Sequence, residues 1–561
     1  MVVLEPTVAF GHGPPPASPY QIISNIRGWD LLKQVRDGDH TPLNGLVNFY
    51  PRFRPLQYAL TLTQALAAKL GLGHMACLVF MDPYMCKYTS GHVCHEKRKQ
   101  FAISPDQVTY KVVDVAGHRL YCVLCDVQHK KAIAQTWNGP GVGISIRQAE
   151  YLLQNIDSLQ EVPFPPGGSP PAPTWTPETS AHDKLRERLV ELLRHGAIDA
   201  SQIRCQPRDV FLYPTGMAAV FGAKNILEAY RPGMTNVQLG FVFHTVQELL
   251  EEDSRGGWKF LGKVDAQGLD AMEAWLEDEA AHGRGVAFTL VEFPGNPLVE
   301  STDLARLKKM SEKYGFVLIV DDTVGSFSNV DVLAQSDMVL TSLTKSFSGR
   351  ADVLGGSVVL NPLSAHYAEL SRRFAAQHHN QLFALDAETL LANSRDYFER
   401  TRRLNDNARA MADFLHRSMT DLPDSPVTKV WYPPLLASKT HYDAYLRRST
   451  PELPQPGYGC LLTVQFEDAA LAKTFYDRCG FYPSPHLGGH VTIMIAYNMF
   501  MFGRDKAEEQ RARQLDATEE SVRISAGLED TQDLLDTLQD ALDETIRVKK
   551  ATTKALLGQD A

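Results

Sequence analysis

The chain has 561 residues, 44% of them hydrophobic and 22% charged, the balance of a globular protein too long for one core, so about three domains are expected. Its 66 acidic and 56 basic residues give a formal net charge of −10, which argues against nucleic acid or an anionic membrane as partner. No apolar run reaches bilayer length, the N-terminus lacks the basic and apolar regions of a secretion signal, and the eight cysteines are scattered without a disulfide-framework spacing; the expectation is a cytoplasmic protein.

In chain order, residues 1–20 are rich in Gly and Pro and read as a flexible lead. Residues 21–160 read as a small α/β unit: Leu60 to Leu70 has apolar residues at helical spacing, while Met75 to Met81 and Tyr110 to Val115 look extended. Cys122 and Cys125 form a C-x-x-C preceded by Cys86, His92, Cys94 and His95, which raises the question of zinc. Without a second properly spaced pair the expectation is buried free thiols and no metal. Residues 161–180 are a linker by composition, and a helix begins near Ser180 with Leu185, Leu189, Leu192 and Leu193 on one face.

From there to about residue 380 strands and helices alternate, as in a doubly wound sheet. Tyr213-Pro214-Thr215-Gly216-Met217 is a strand-to-helix turn, and the free backbone N–H groups of Gly216 and Met217 suit an anion. Val286 to Val291 is a strand that empties into Glu292-Phe293-Pro294-Gly295-Asn296-Pro297. Phe316 to Val320 is the continuous apolar run of a strand buried on both faces, and it stops at Asp321-Asp322-Thr323. Met338 to Leu340 and Ser357 to Leu360 are two further strands, with Lys345 on the loop between them. Residues 381–550 form a smaller domain, with a helix over Ala384 to Met419, strands at Cys460 to Gln465 and Val491 to Ile495, and a strand at Ser521 that leads into a helix from Asp530.

An anion-binding helix start, a strand-end acid and a strand-end lysine, in that order, are what pyridoxal 5'-phosphate requires. Lys345 serves as the Schiff-base lysine and proton-moving base, Asp321 keeps the pyridine nitrogen protonated, and Gly216 and Met217 receive the phosphate with hydroxyl help from Ser342 and Thr344.

The segments YPTGMAA, VEFPGNPL, IVDDT and TSLTKSFSG…GGSVVLNP resemble the γ-family of pyridoxal-phosphate enzymes of cysteine and methionine metabolism, and within it the fungal type of cystathionine γ-synthase. The resemblance implies the α/β pyridoxal-phosphate transferase fold, aspartate-aminotransferase-like (fold type I), with an N-terminal α/β extension. It implies γ-replacement on O-acetyl- or O-succinyl-homoserine, amino-acid substrates and a homodimer or homotetramer. It adds Thr323, Phe243 and Asn296 to the cofactor set, and Arg523, Asn296 again, Glu292, Ser484 and His486 to the substrate set.

Three departures accompany it. Phe243 stands where relatives stack a tyrosine, Pro173 to Pro177 lacks the Tyr-x-Arg that in relatives reaches a neighbouring subunit's phosphate, and His486-Leu487-Gly488 replaces a Ser-Leu-Gly. They leave open γ-substitution by a different nucleophile, a carbon nucleophile such as a β-keto acid included, and a non-catalytic regulatory relative.

Overall fold

The structure, a computed structural model, describes residues 2–51, 56–165 and 168–557. Three sheets organise them. The first is antiparallel in the order β1-β3-β2-β4, built from β1 (Met75–Phe80), β2 (Thr109–Val115), β3 (His118–Asp126) and β4 (Gln160–Val162). Ala116 and Gly117 join β2 to β3 with φ of 49° and 81°, the two positive values that a tight hairpin turn demands.

Strand β3 carries the C-x-x-C. On a strand, residues i and i+3 face opposite sides, so Cys122 and Cys125 enter different cores. All eight cysteines are free, and the described residues contain no group of three or more His, Cys, Asp or Glu placed to hold a metal.

The second sheet has the order β5-β11-β10-β9-β8-β6-β7, from β5 (Val210–Tyr213), β6 (Thr235–Leu239), β7 (Trp258–Leu261), β8 (Val286–Glu292), β9 (Val317–Asp321), β10 (Met338–Thr341) and β11 (Gly356–Leu360). Strands β10, β9, β8, β6 and β7 are parallel, and β11 runs antiparallel between β5 and β10. Both faces are covered by helices. In β9, Leu318 and Val320 enter one core while Val317 and Ile319 enter the other, and this two-sided burial makes the strand read as an unbroken apolar run.

The third sheet, β12 (Val427–Trp431), β13 (Leu461–Phe466), β14 (Tyr482–Pro483), β15 (Ile493–Ile495) and β16 (Ser521–Ser525), has the order β12-β13-β16-β15-β14. Helices Tyr397–Asp421 and Ala469–Arg478 pack on it, and Thr531–Leu557 packs against both of those helices. The single helix expected over Ala384 to Met419 is two, Ala384–Asn393 and Tyr397–Asp421, separated by a turn. No helix among the described residues is long and apolar enough to cross a membrane.

The stretch 21–160 does not hold together as one unit. Ile22, Ile23, Ile26, Trp29 and Leu32 share a core with β13 and β16, whereas the unit around the first sheet starts with helix Gln57–Lys69. The lead ahead of it has no helix or strand, yet it is tied down: Leu4 N–H donates to Thr537 Oγ1 at 2.9 Å and Gly11 N–H to Asn25 O at 2.9 Å. Its Gly and Pro content explains the irregular backbone; one anchor is 14 residues away and the other lies on the C-terminal helix.

Candidate active site

Parallel strands bring their carboxyl ends to one edge of a sheet, where open α/β folds bind ligands. Glu292 at the end of β8 lies in register with Asp321 at the end of β9. A cavity opens at this edge. Gly216, Met217, Phe243, Glu292, Asn296, Asp321, Thr323, Ser342, Thr344, Lys345 and Arg523 all line it, residues that span more than 300 positions of sequence. Ser484 and His486 stand just behind the lining, beside Pro485 and Leu487.

Lys345 sits on the turn after β10, only 9% exposed. Its Nζ donates to Tyr50 Oη at 3.0 Å and faces His486 Nδ1 at 3.3 Å. Burial and the cations of Lys345 and Arg523 push the His486 imidazole well below its ordinary pKa, so it is neutral and its Nδ1 accepts from the lysine. The turn is clamped from outside by the buried Arg400, whose guanidinium donates to Ser346 O at 2.8 Å and Phe347 O at 3.0 Å.

Two adjacent carboxyl groups at this edge carry displaced titrations. Burial raises Asp321 from 3.8 to about 6, against the hydrogen bond that Thr323 N–H gives its Oδ1 at 2.9 Å. Burial, with the neighbouring Asp321 charge, pushes Glu292 well above the carboxylate range. Its oxygens accept from Phe243 N–H at 2.6 Å and Asn296 N–H at 3.1 Å, so Glu292, expected to meet substrate, fastens the two loops that carry Phe243 and Asn296. An uncompensated anion is unwelcome in such surroundings, and a cation placed against Asp321 would restore its charge.

At the other end of the cavity, helix Gly216–Tyr230 begins. Thr215 Oγ1 caps it by accepting from Ala218 N–H at 2.9 Å, and the N–H groups of Gly216 and Met217 have no partner among the described residues. A Cβ on Gly216 would stand 2.8 Å from the Ser342 Cβ, so only glycine lets the helix start approach the loop after β10. Thr344, expected to donate to a phosphate, is engaged otherwise: its hydroxyl donates to Gly355 O at 3.2 Å and accepts from Gly355 N–H at 3.1 Å. Thr323 Oγ1 accepts from Ser342 N–H at 2.8 Å. Two free amides at a helix start, a buried acid and a buried lysine around one cavity fit pyridoxal phosphate.

Arg523 on β16 is 2% exposed. It donates to Asn296 Oδ1 at 2.9 Å and to the carbonyls of Pro485 and His486 at 2.9 and 3.1 Å, and lies over the Tyr497 ring at 4.5 Å. Ser484 Oγ and His486 Nε2 are buried without a hydrogen-bond partner among the described residues.

Two site residues escaped the sequence reading. Arg400 lies on helix Tyr397–Asp421 among several other arginines, and nothing in the sequence sets it apart from them. Tyr50 belongs to Tyr50-Pro51-Arg52, a Tyr-x-Arg of the kind that Pro173 to Pro177 lacks, but Tyr445-Leu446-Arg447 and Tyr476-Asp477-Arg478 share that spacing, so the pattern by itself does not single out Tyr50. Arg52 lies outside the described residues.

Comparison with known proteins agrees with this geometry. Residues 205–543 match the family described as Cys/Met metabolism PLP-dependent enzyme. The cystathionine gamma-synthase-like enzyme iboG2 of Amanita muscaria is 29% identical over 96% of this chain and 97% of its own. The alanine racemase ungC of Aspergillus violaceofuscus is 33% identical over 76% of this chain and 74% of the racemase. The crystal structure of a cystathionine gamma synthase from Xanthomonas oryzae pv. oryzae superposes with a TM-score of 0.52 at 24% identity, over 66% of this chain and 86% of that one, which shows the shared fold.

Proposed function

Because the chain belongs to the Cys/Met-metabolism family of pyridoxal-phosphate-dependent enzymes, we propose that it performs γ-replacement on an O-activated L-homoserine, with L-cysteine as the simplest nucleophile and L-cystathionine as product. The observation that carries this reading is the grouping of Lys345, Asp321 and Arg523 around one cavity. Bound there, pyridoxal phosphate supplies the electron sink that lets protons leave an amino acid's α and β carbons. Gly216 and Met217 N–H, with the Ser342 hydroxyl, would hold its phosphate, and Asp321 would hold a proton on its ring nitrogen. Phe243 supplies an apolar face without a hydroxyl for proton transfer.

The chain's own groups do the rest. Lys345 takes a proton from Cα and then from Cβ, and returns protons after the γ substituent has been exchanged. Tyr50 Oη and His486 Nδ1 hold the lysine in place by accepting from its Nζ. Arg523 binds the substrate α-carboxylate, whose two oxygens match the guanidinium fork and fix the direction of the Cα–H bond. Asn296 braces that arginine.

Arg523→Lys keeps the charge and loses the fork. A hydrogen bond to a charged group contributes roughly 1.5–3 kcal/mol, so kcat/KM is expected to fall about 10- to 100-fold, chiefly through KM. Steady-state kinetics with the homoserine ester checks this. Gly216→Ala is expected to weaken cofactor retention about tenfold or more, because the added methyl must displace the Ser342 loop; titration of apoprotein with the cofactor, followed by absorbance, measures it.

A second reading, γ-substitution by another nucleophile, is favoured by His486 in place of the small serine of relatives, and by similarity along nearly the whole chain to an enzyme called cystathionine gamma-synthase-like. The deciding experiment offers O-acetyl- and O-succinyl-L-homoserine with cysteine, then with a panel of β-keto acids and amines. Cystathionine as the dominant product supports the first reading; turnover only with panel nucleophiles replaces it with the second. Assembly as a homodimer or homotetramer belongs to the same proposal, and sedimentation of a fully active monomer would contradict it.

A further inference from the structure

Away from the active site lies a second cleft, between helix Tyr84–Val93 of the N-terminal unit and the C-terminal end of helix His244–Asp253 of the central unit. Its walls carry four cations, Lys87, Lys97, Arg98 and Arg255, against two acids, Glu252 and Asp253. Both acids are already neutralised. Arg98 Nη1 donates to Glu252 at 3.3 Å, and the buried Lys224 donates to Asp253 at 2.9 Å. Lys97 donates to the backbone carbonyl of Glu251, and Lys87 forms no ion pair among the described residues. Arg255 Nε is paired with Glu228 at 3.5 Å, so the excess of positive charge left to the cleft is that of Lys87 and Lys97.

Its floor also has unused hydrogen-bonding capacity. His92 stacks on Tyr88 with ring centroids 5.4 Å apart. Burial and the Arg98 charge push its pKa down to about 3, so the ring is neutral. His92 Nε2 and Arg98 Nε are buried and have no hydrogen-bond partner among the described residues, and Arg98 is 6% exposed. A buried donor left unpaired is costly. A water would meet one such group; an oxyanion meets several at once and balances the surplus charge.

We propose that this cleft binds a small oxyanion-bearing metabolite, a carboxylate or a phosphate, held by Arg98 Nε, His92 Nε2 and Lys87 against the Tyr88 ring. The helix that ends at the cleft begins directly after Phe243, whose N–H is fixed by Glu292 in the active-site cavity. At 1.5 Å per residue its ten residues span about 15 Å, which separates the cleft from the Phe243 loop.

The test is calorimetric titration of the cofactor-loaded protein, whose own phosphate site is filled, with inorganic phosphate and separately with succinate, at ionic strength held constant with potassium chloride. The expected result is saturable binding of one or both anions, weakened at least tenfold in Lys87→Glu and in His92→Phe. The phenylalanine keeps the stack on Tyr88 and deletes the donor, and both changes avoid the Arg98–Glu252 pair that supports the fold. Unchanged thermal midpoints and cofactor absorbance in the two variants establish that they are folded. Which anion binds distinguishes a phosphorylated ligand from a carboxylate. No saturable heat with either anion, or equal affinity in the wild type and both folded variants, overturns the proposal.

Discussion

Lys345→Ala is expected to remove turnover almost completely, by about 10⁴-fold or more, since a positioned general base alone contributes 10²–10⁴-fold and the same amine is the only one lining the cavity among the described residues. The substitution leaves the turn itself intact, because Arg400 holds it through the carbonyls of Ser346 and Phe347, so the loss is chemical. Borohydride reduction of the loaded wild type followed by peptide mapping is expected to mark Lys345, and the variant is expected to take no mark. A cofactor adduct recovered on a different lysine would sink the assignment.

Asp321→Asn is expected to lower kcat/KM by about 10²–10³-fold, the range for removing one well-placed electrostatic group from a buried site. The variant is nearly isosteric, and the amide oxygen can still accept from Thr323 N–H.

The same substitution has an opposite effect on the apoprotein. Burial raises Asp321 from 3.8 to about 6, so between those values the folded chain keeps a proton that the unfolded chain releases. The apoprotein therefore loses stability as pH rises from about 4 to about 6, and the penalty is fully present above that. Two units correspond to a few kcal/mol at most. Asp321→Asn has no such penalty, so its apoprotein is expected to withstand more urea than the wild type at pH 8, with the gap closing towards pH 4. Denaturation at pH 4, 6 and 8 measures it, and a gap that widens on acidification would show the carboxyl to be stabilised as an anion. A residue that costs stability when the site is bare and is needed for turnover marks a position kept for function.

The helix that carries Arg400 and the stretch 21–160 depart from local expectation for a common reason. Arg400 follows the polar spacing of an exposed helix face, yet its guanidinium is buried against the Lys345 turn, with Asp396 Oδ1 at 2.7 Å and Asn393 O at 2.8 Å also accepting from it. Ile22 to Leu32 show an apolar pattern that demands burial, but the pattern is silent about which core receives it. Thr344 and Glu292 both line the cavity, while Thr344 is engaged by the backbone 11 residues away and Glu292 by backbone groups 49 and 4 residues away.

The amino-acid order by itself determined the buried strands β8, β9 and β10, the helix start at Gly216, and the acid and lysine at strand ends, because periodicity, capping and turn chemistry act over a few neighbouring residues. Only the tertiary structure decided that Tyr50 meets Lys345 across 295 positions, that Arg523 braces against Asn296 across 227, and that Ile22 to Leu32 complete the C-terminal core. Those contacts depend on the path of the whole chain, and local sequence carries the demand for a partner without carrying its identity.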